Sequence, residues 1–138
     1  MRRVCFYDQE LREIKDFFMS MVGKSSHGIF YSIGQIIGRN IAKEALHDKE
    51  NYFEVIKQKI KERNFADDIE FGRDTITVFG SAEVTEGLGY ANCDILRGIL
   101  LVVYEFRQDE NSRLYCEEIG CASSGGDKCV FKIESNFF

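Results

Sequence analysis

Between Gln9 and Val22, apolar side chains fall at Leu11, Ile14, Phe17, Phe18 and Met21, the three-and-four spacing that lines one face of a helix. Gly23-Lys24-Ser25-Ser26 breaks that pattern. A second helix is predicted from Ile29 to Leu46. It carries Gly34 and Gly38 four residues apart, so part of its surface is bare and lets another backbone approach closely. Outside an apolar membrane span such a pair does not by itself signal dimerisation. Taken with the amphipathic first helix, it makes Gly34 and Gly38 the expected contact of a homodimer. A third helix, Asn51 to Arg63, buries Phe53, Ile56 and Ile60, and its Lys57, Lys59, Lys61, Glu62 and Arg63 read as a solvated face.

At Asn64 the period changes. Ile69 to Phe71 and Thr75 to Phe79 read as two strands joined at Gly72-Arg73-Asp74. Three glycines mark Gly80 to Tyr90 as a loop. Cys93 to Phe106 is strongly apolar (Ile95, Leu96, Ile99, Leu100, Val102, Val103, Phe106), and its length favours a buried helix over a strand. Asp109-Glu110-Asn111-Ser112 is a polar turn. Beyond it, Leu114, Cys116 and Glu118 share one face of a strand, and Cys129, Phe131 and Ile133 share one face of another. The loop between them, Ala122 to Lys128, has adjacent glycines to close it. Helices first, then a hairpin, a long helix and a second hairpin give an α+β fold with an antiparallel sheet. Residues 1–25 form a helical extension, and 26–138 form the domain.

A chain of 138 residues is one domain that can bury a core without disulfides. Its net charge of −5 argues against nucleic acid as a partner, which demands a basic footprint. Arg2 and Arg3 are followed by no apolar run, so no secretory signal is expected. The longest apolar stretch, Gly98 to Tyr104, is far too short to span a bilayer. A soluble, cytoplasmic protein is expected. Twelve Phe and six Tyr without a single Trp read first as an aromatic core, and second as the lining of an apolar ligand pocket.

The sharpest chemical signal lies in the cysteines. There are five, Cys5, Cys93, Cys116, Cys121 and Cys129, an odd number with three of them close together near the C-terminus. That favours a metal or redox site over a disulfide framework. Glu118-x-x-Cys121 followed by Cys129 supplies three ligands of the kind a tetrahedral zinc takes. The fourth is Cys93 or Cys116. Four protein ligands close the shell and make the site structural. The competing reading is a set of reduced core thiols. Cys5, near the terminus, reads as incidental. His27 and His47 are isolated and read as surface or capping residues. No covalent-haem motif, phosphate loop or nucleophile elbow is present.

The tail Tyr115 to Ile133 resembles the C-terminal signature of the 4-vinyl reductase, or hydrocarbon-binding, domain family: Glu-x-x-Cys, a small residue, a glycine-containing loop, then Cys-x-Phe. The likeness extends over roughly Ile29 to Glu134. It implies the α+β fold of TRAPP core subunits and haem nitric-oxide/oxygen-binding domains, with an apolar pocket between helices and sheet. Aromatic-sensing members place a zinc beside the pocket, held by three cysteines and a glutamate. Here Glu118, Cys121 and Cys129 match at the same spacing and Cys93 at a slightly different one. Two residues before the glutamate, where sensors carry an aromatic, this chain has Cys116. No histidine corresponds to the haem ligand. The resemblance implies a binding module for a small hydrophobic or aromatic ligand with a structural zinc, acting as sensor or carrier. Expected pocket residues are Cys116, Phe79, Leu96, Ile99, Leu100 and Val103. The family name also implies an alternative, an enzyme or accessory of tetrapyrrole vinyl reduction. The tethering subunits imply another, a dimeric assembly protein.

Overall fold

A computed structural model describes residues 1–108 and 113–136 of the chain. The turn expected at Asp109 to Ser112 lies outside the described residues. Three helices come first: α1 (Asp8–Val22), α2 (Ser26–Ala45) and α3 (Tyr52–Glu62). Strands β1 (Asp68–Phe71) and β2 (Thr75–Phe79) follow, then helix α4 (Asp94–Arg107), then β3 (Arg113–Gly120) and β4 (Cys129–Asn136). The fold is α+β, with helices packed on a four-stranded antiparallel sheet of order β1-β2-β4-β3. Its second hairpin therefore docks onto the first through β4. The register pairs Ile76 with Phe131 and Val78 with Cys129, and Cys116 with Ile133 across β3 and β4. These residues are buried and form one face of the core.

Helix α4 is buried along most of its length, from Ile95 to Tyr104 with Arg97 as the half-exposed exception. It lies between the sheet and α2, and this explains why its sequence is an apolar run and not a stripe. The approach to α2 is close enough to need glycine on both sides. A Cβ at Gly34 would overlap the Ile95 carbonyl oxygen, and one at Gly98 would overlap the Tyr31 carbonyl oxygen. Gly38 lies against Ile99 in the same way. The close approach expected at Gly34 and Gly38 is thus made within the chain, to α4. These buried glycines do not form a free face for a second copy.

Helix α1 has no fully buried residue and packs through Leu11, Ile14 and Phe18, the last edge-on to Phe30 at 5.5 Å. Phe17 and Met21, expected on its inner stripe, are 60% and 67% exposed. Lys15 turns inward instead, because buried carboxylates wait for it there. Among the described residues no helix is long and apolar enough to cross a membrane.

Candidate metal centre

Glu118 and Cys121 are three residues apart, and on a regular strand such residues point to opposite faces. The pairing of β3 with β4 breaks register between Glu118, opposite Phe131, and Gly120, opposite Val130. One extra residue, Ile119, bulges out and is 55% exposed. The bulge brings Cys121 back to the side that Cys116 and Glu118 face. Cys129 opens β4 across the loop, and Cys93 precedes the first turn of α4. The four donor groups, Cys93, Glu118, Cys121 and Cys129, converge with their ligand atoms all within 4.8 Å of one another. Cys116 lies in the core and outside this set.

The three Sγ atoms are 3.5, 3.7 and 3.8 Å apart. That is much too far for a disulfide, and none of the five cysteines forms one. It matches the edge of roughly 3.8 Å that a tetrahedron has when its metal–sulfur bonds are about 2.3 Å. Glu118 Oε1 accepts the Cys93 N–H at 3.0 Å, whereas its buried Oε2 has no hydrogen-bond partner. A buried carboxylate oxygen without a donor is costly unless something positive meets it. The donor set, its spacing and this oxygen all fit zinc. Backbone donors surround the sulfurs as they do in thiolate sites: Ala122 N–H points to Cys129 Sγ at 3.5 Å and Ser123 N–H to Cys121 Sγ at 3.4 Å. Ser81 Oγ lies 3.2 Å from Cys93 Sγ.

The four donor groups hold their protons unequally. Hydrogen bonds from the Cys129 and Cys93 thiols, aided by the Ser123 side chain, hold Cys121 far below the ordinary thiol range. Cys93 is pushed far up by its hydrogen bonds to Cys121 and Cys129. Cys129 is pushed up to about 12, chiefly by its bond to Cys121. Burial, then the Cys121 charge, raises Glu118 to about 8. One thiolate thus accepts hydrogen bonds from neighbours that keep their protons, and a bound dication would take the place of those protons.

Two features of the surroundings have no signal in the sequence. Glu83, in the glycine-containing loop, is completely buried and caps α4, its carboxylate accepting the Ile95 and Leu96 N–H groups at 2.9 Å each. Lys15 of α1 reaches it at 3.0 Å and also meets the Asn92 carbonyl. Burial pushes the Glu83 carboxyl up, against the pull of Lys15 and the two N–H groups. Asn92 in turn bonds the Glu83 carbonyl at 2.9 Å and accepts from the Ser123 hydroxyl at 2.7 Å, so the loop before Cys93 is tied to the loop after Cys121. The second feature is His27, whose Nδ1 lies 2.7 Å from Asp94 Oδ2. Only partners 67 residues away could have revealed it.

Next to the cluster a cleft of about 480 Å³ opens, with Met19, His27, Tyr90, Tyr115, Cys116 and Glu118 among its walls. Cys116 is buried, and burial raises its thiol to about 12, so it enters the wall as a neutral apolar group. The remaining residues expected around a pocket sit elsewhere. Leu96, Ile99, Leu100 and Val103 are fully buried core residues, and Phe79 is a half-buried residue of β2. A second hollow of about 480 Å³ has Cys129 in its lining, but it is rimmed by the charged Asp8, Arg12, Asp127 and Lys128. Cys5 is exposed.

No protein-family model matches the sequence, and no curated protein does. Solved structures do match. One is the phenol-responsive sensory domain of the transcription activator PoxR, crystallised with phenol. It has a TM-score of 0.78 and 11% identity, over 98% of this chain and 77% of that one. Another is a vinyl-4-reductase family protein from Methanocaldococcus jannaschii, with a TM-score of 0.66 and 20% identity over 99% of this chain and 85% of that one. The fold inferred from the tail motif is therefore the fold these proteins share.

Proposed function

We propose that this chain is a sensory-type binding domain of the 4-vinyl reductase kind. It takes a small, largely apolar molecule in the cleft beside Cys116 while a structural zinc fixes the cleft's wall. The observation that carries this reading is the shared position of Glu118, which both borders the cleft and belongs to the four-donor cluster. Zinc bound by Cys93, Glu118, Cys121 and Cys129 would supply a rigid cross-link and no open coordination position. The fold shared with a phenol-responsive domain supports a small hydrophobic ligand. The cleft is roomy enough for one, its volume lying within the range typical of small-molecule sites. Native mass spectrometry of the protein purified without added zinc tests both parts. The expected spectrum shows one zinc per chain and a retained small molecule. A metal-free chain whose melting is unchanged in chelator refutes the zinc.

We also infer a homodimer, on a different face from the one the glycine pair suggests. Ile29, Ile33 and Ile36 form an exposed row on α2 at helical spacing. From Gly28 to Gly38 the helix carries no charge, so two copies could pack this row like on like without repulsion. Light scattering at micromolar concentration should give twice 15.9 kDa, and Ile33→Glu should return the chain to 15.9 kDa.

A further inference from the structure

Helix α1 is held to the rest of the chain by little apolar surface. None of its residues is fully buried, and Leu11, Ile14 and Phe18 reach the core only in part. Its one deep insertion is a cation. The Lys15 side chain, 11% exposed, places Nζ over the Phe30 ring, 3.0 Å from Glu83 Oε1 and in a hydrogen bond to the Asn92 carbonyl. Glu83 is wholly buried, and among the described residues Lys15 is the one cation that pairs with it. A buried charge left without its partner is costly, so the loop that carries Glu83 keeps this form only with α1 in place.

The same loop ends at the metal cluster. Asn92 immediately precedes Cys93, and its side chain donates to the Glu83 carbonyl at 2.9 Å and accepts from the Ser123 hydroxyl at 2.7 Å. The Ser123 N–H in turn points to Cys121 Sγ at 3.4 Å. Ser81 Oγ, 3.2 Å from Cys93 Sγ, also accepts the Glu83 N–H at 3.3 Å. One network therefore runs from Lys15 to two of the four donors. Two events that order the same network favour each other, and the coupling is reciprocal. At its other end α1 stops at Gly23, whose φ of 64° gives the joint to α2 the backbone freedom of glycine.

We propose that α1 is a latch on the metal centre: metal in the four-donor cluster holds loop 81–93 in the form that receives Lys15, and loss of the metal releases α1. This goes beyond the binding reading and rests on its metal part, not on the cleft. Hydrogen exchange read by mass spectrometry on the full chain, with zinc and in chelator, tests it. Metal removal should speed exchange across α1 roughly fivefold or more while α3 keeps its protection. The reciprocal arm weakens α1 away from the network. Ile14 only packs against the core, so Ile14→Ala should still bind zinc but lose it to chelator roughly fivefold or more faster than the wild type. Lys15→Met should uncouple the two, so that adding Ile14→Ala to it changes zinc loss no further. Lys15→Arg, which keeps the cation, should retain part of the coupling. Where Lys15→Met fails to fold, the wild-type exchange and Ile14→Ala decide alone. Exchange in α1 that ignores the metal, or a wild-type rate of zinc loss from Ile14→Ala, overturns the latch and leaves the metal centre standing. Equal acceleration of α1 and α3 overturns it too, since the metal would then support the whole fold. A wild-type chain that takes up no zinc overturns the metal reading and the latch together.

Discussion

The proton inventory of the four donor groups decides how this site meets a metal. Cys121 enters as a thiolate, while Cys93 and Cys129 keep their protons far above neutrality and Glu118 titrates at about 8. At pH 7, zinc binding should therefore release close to three protons, from Cys93, Cys129 and Glu118. The sign follows directly. The metal-bound form holds fewer protons than the free form, so affinity rises with pH and falls steeply on acidification. Calorimetry in buffers of different ionisation enthalpy measures the release. A value near zero would mean that the thiols are already ionised and that the hydrogen-bonded cluster is misread. The converging donors themselves were legible in the sequence because cysteines and a glutamate at the Glu-x-x-Cys spacing are the residue types a metal site draws on. Between Cys93 and Cys116, however, the sequence left the fourth ligand open, and three-dimensional proximity favours Cys93. Glu83 and the His27–Asp94 pair left no trace, since a buried ion pair depends on partners distant in the chain and not on any local period.

At the scale of elements, one bulge and one helix crossing position the site. Deleting Ile119 should remove the bulge and straighten β3, leaving Cys121 two residues after Glu118 and so on the same face as before. The deleted form should keep its far-ultraviolet spectrum and its metal, as measured by elemental analysis; lost zinc would show that the bulge itself, and not only the facing of Cys121, sets the donor spacing. The crossing of α2 and α4 is tested by Gly98→Ala. The new methyl group would meet the Tyr31 carbonyl, which is backbone and cannot rotate away, so the helices must separate. A loss of about 1–3 kcal/mol or more is expected in denaturant unfolding. The sequence showed both helices and the bare strip, but not which partner fills it. A glycine pair announces a close approach without naming the approaching backbone. The sheet order was hidden for a similar reason: alternation reports which face of a strand is buried, not which strand lies beside it.

For the whole molecule, the cluster joins three places far apart in the chain: the residue before α4, the end of β3 and the start of β4. Much of the rest holds together without it. Helix α2 is locked to α4 by the glycine contacts, and β1 pairs with β2 along its full length. Removing the metal should therefore loosen part of the molecule and not all of it. In chelator, hydrogen exchange should accelerate over residues 81–93 and over 117–129, where the loops converge on the cluster. Amides in the middle of α2 and in α3 should keep their protection. The cleft lies on the boundary between these regions, with Met19 and His27 on the helical side and Cys116 and Glu118 on the metal side. A ligand in the cleft would contact both, so occupancy and metal should stabilise each other, and bound ligand should slow zinc loss to a chelator. Uniform acceleration through α2 would instead mean that the metal supports the entire fold. Unchanged exchange throughout would mean that the four donors form a thiol cluster with no metal to lose.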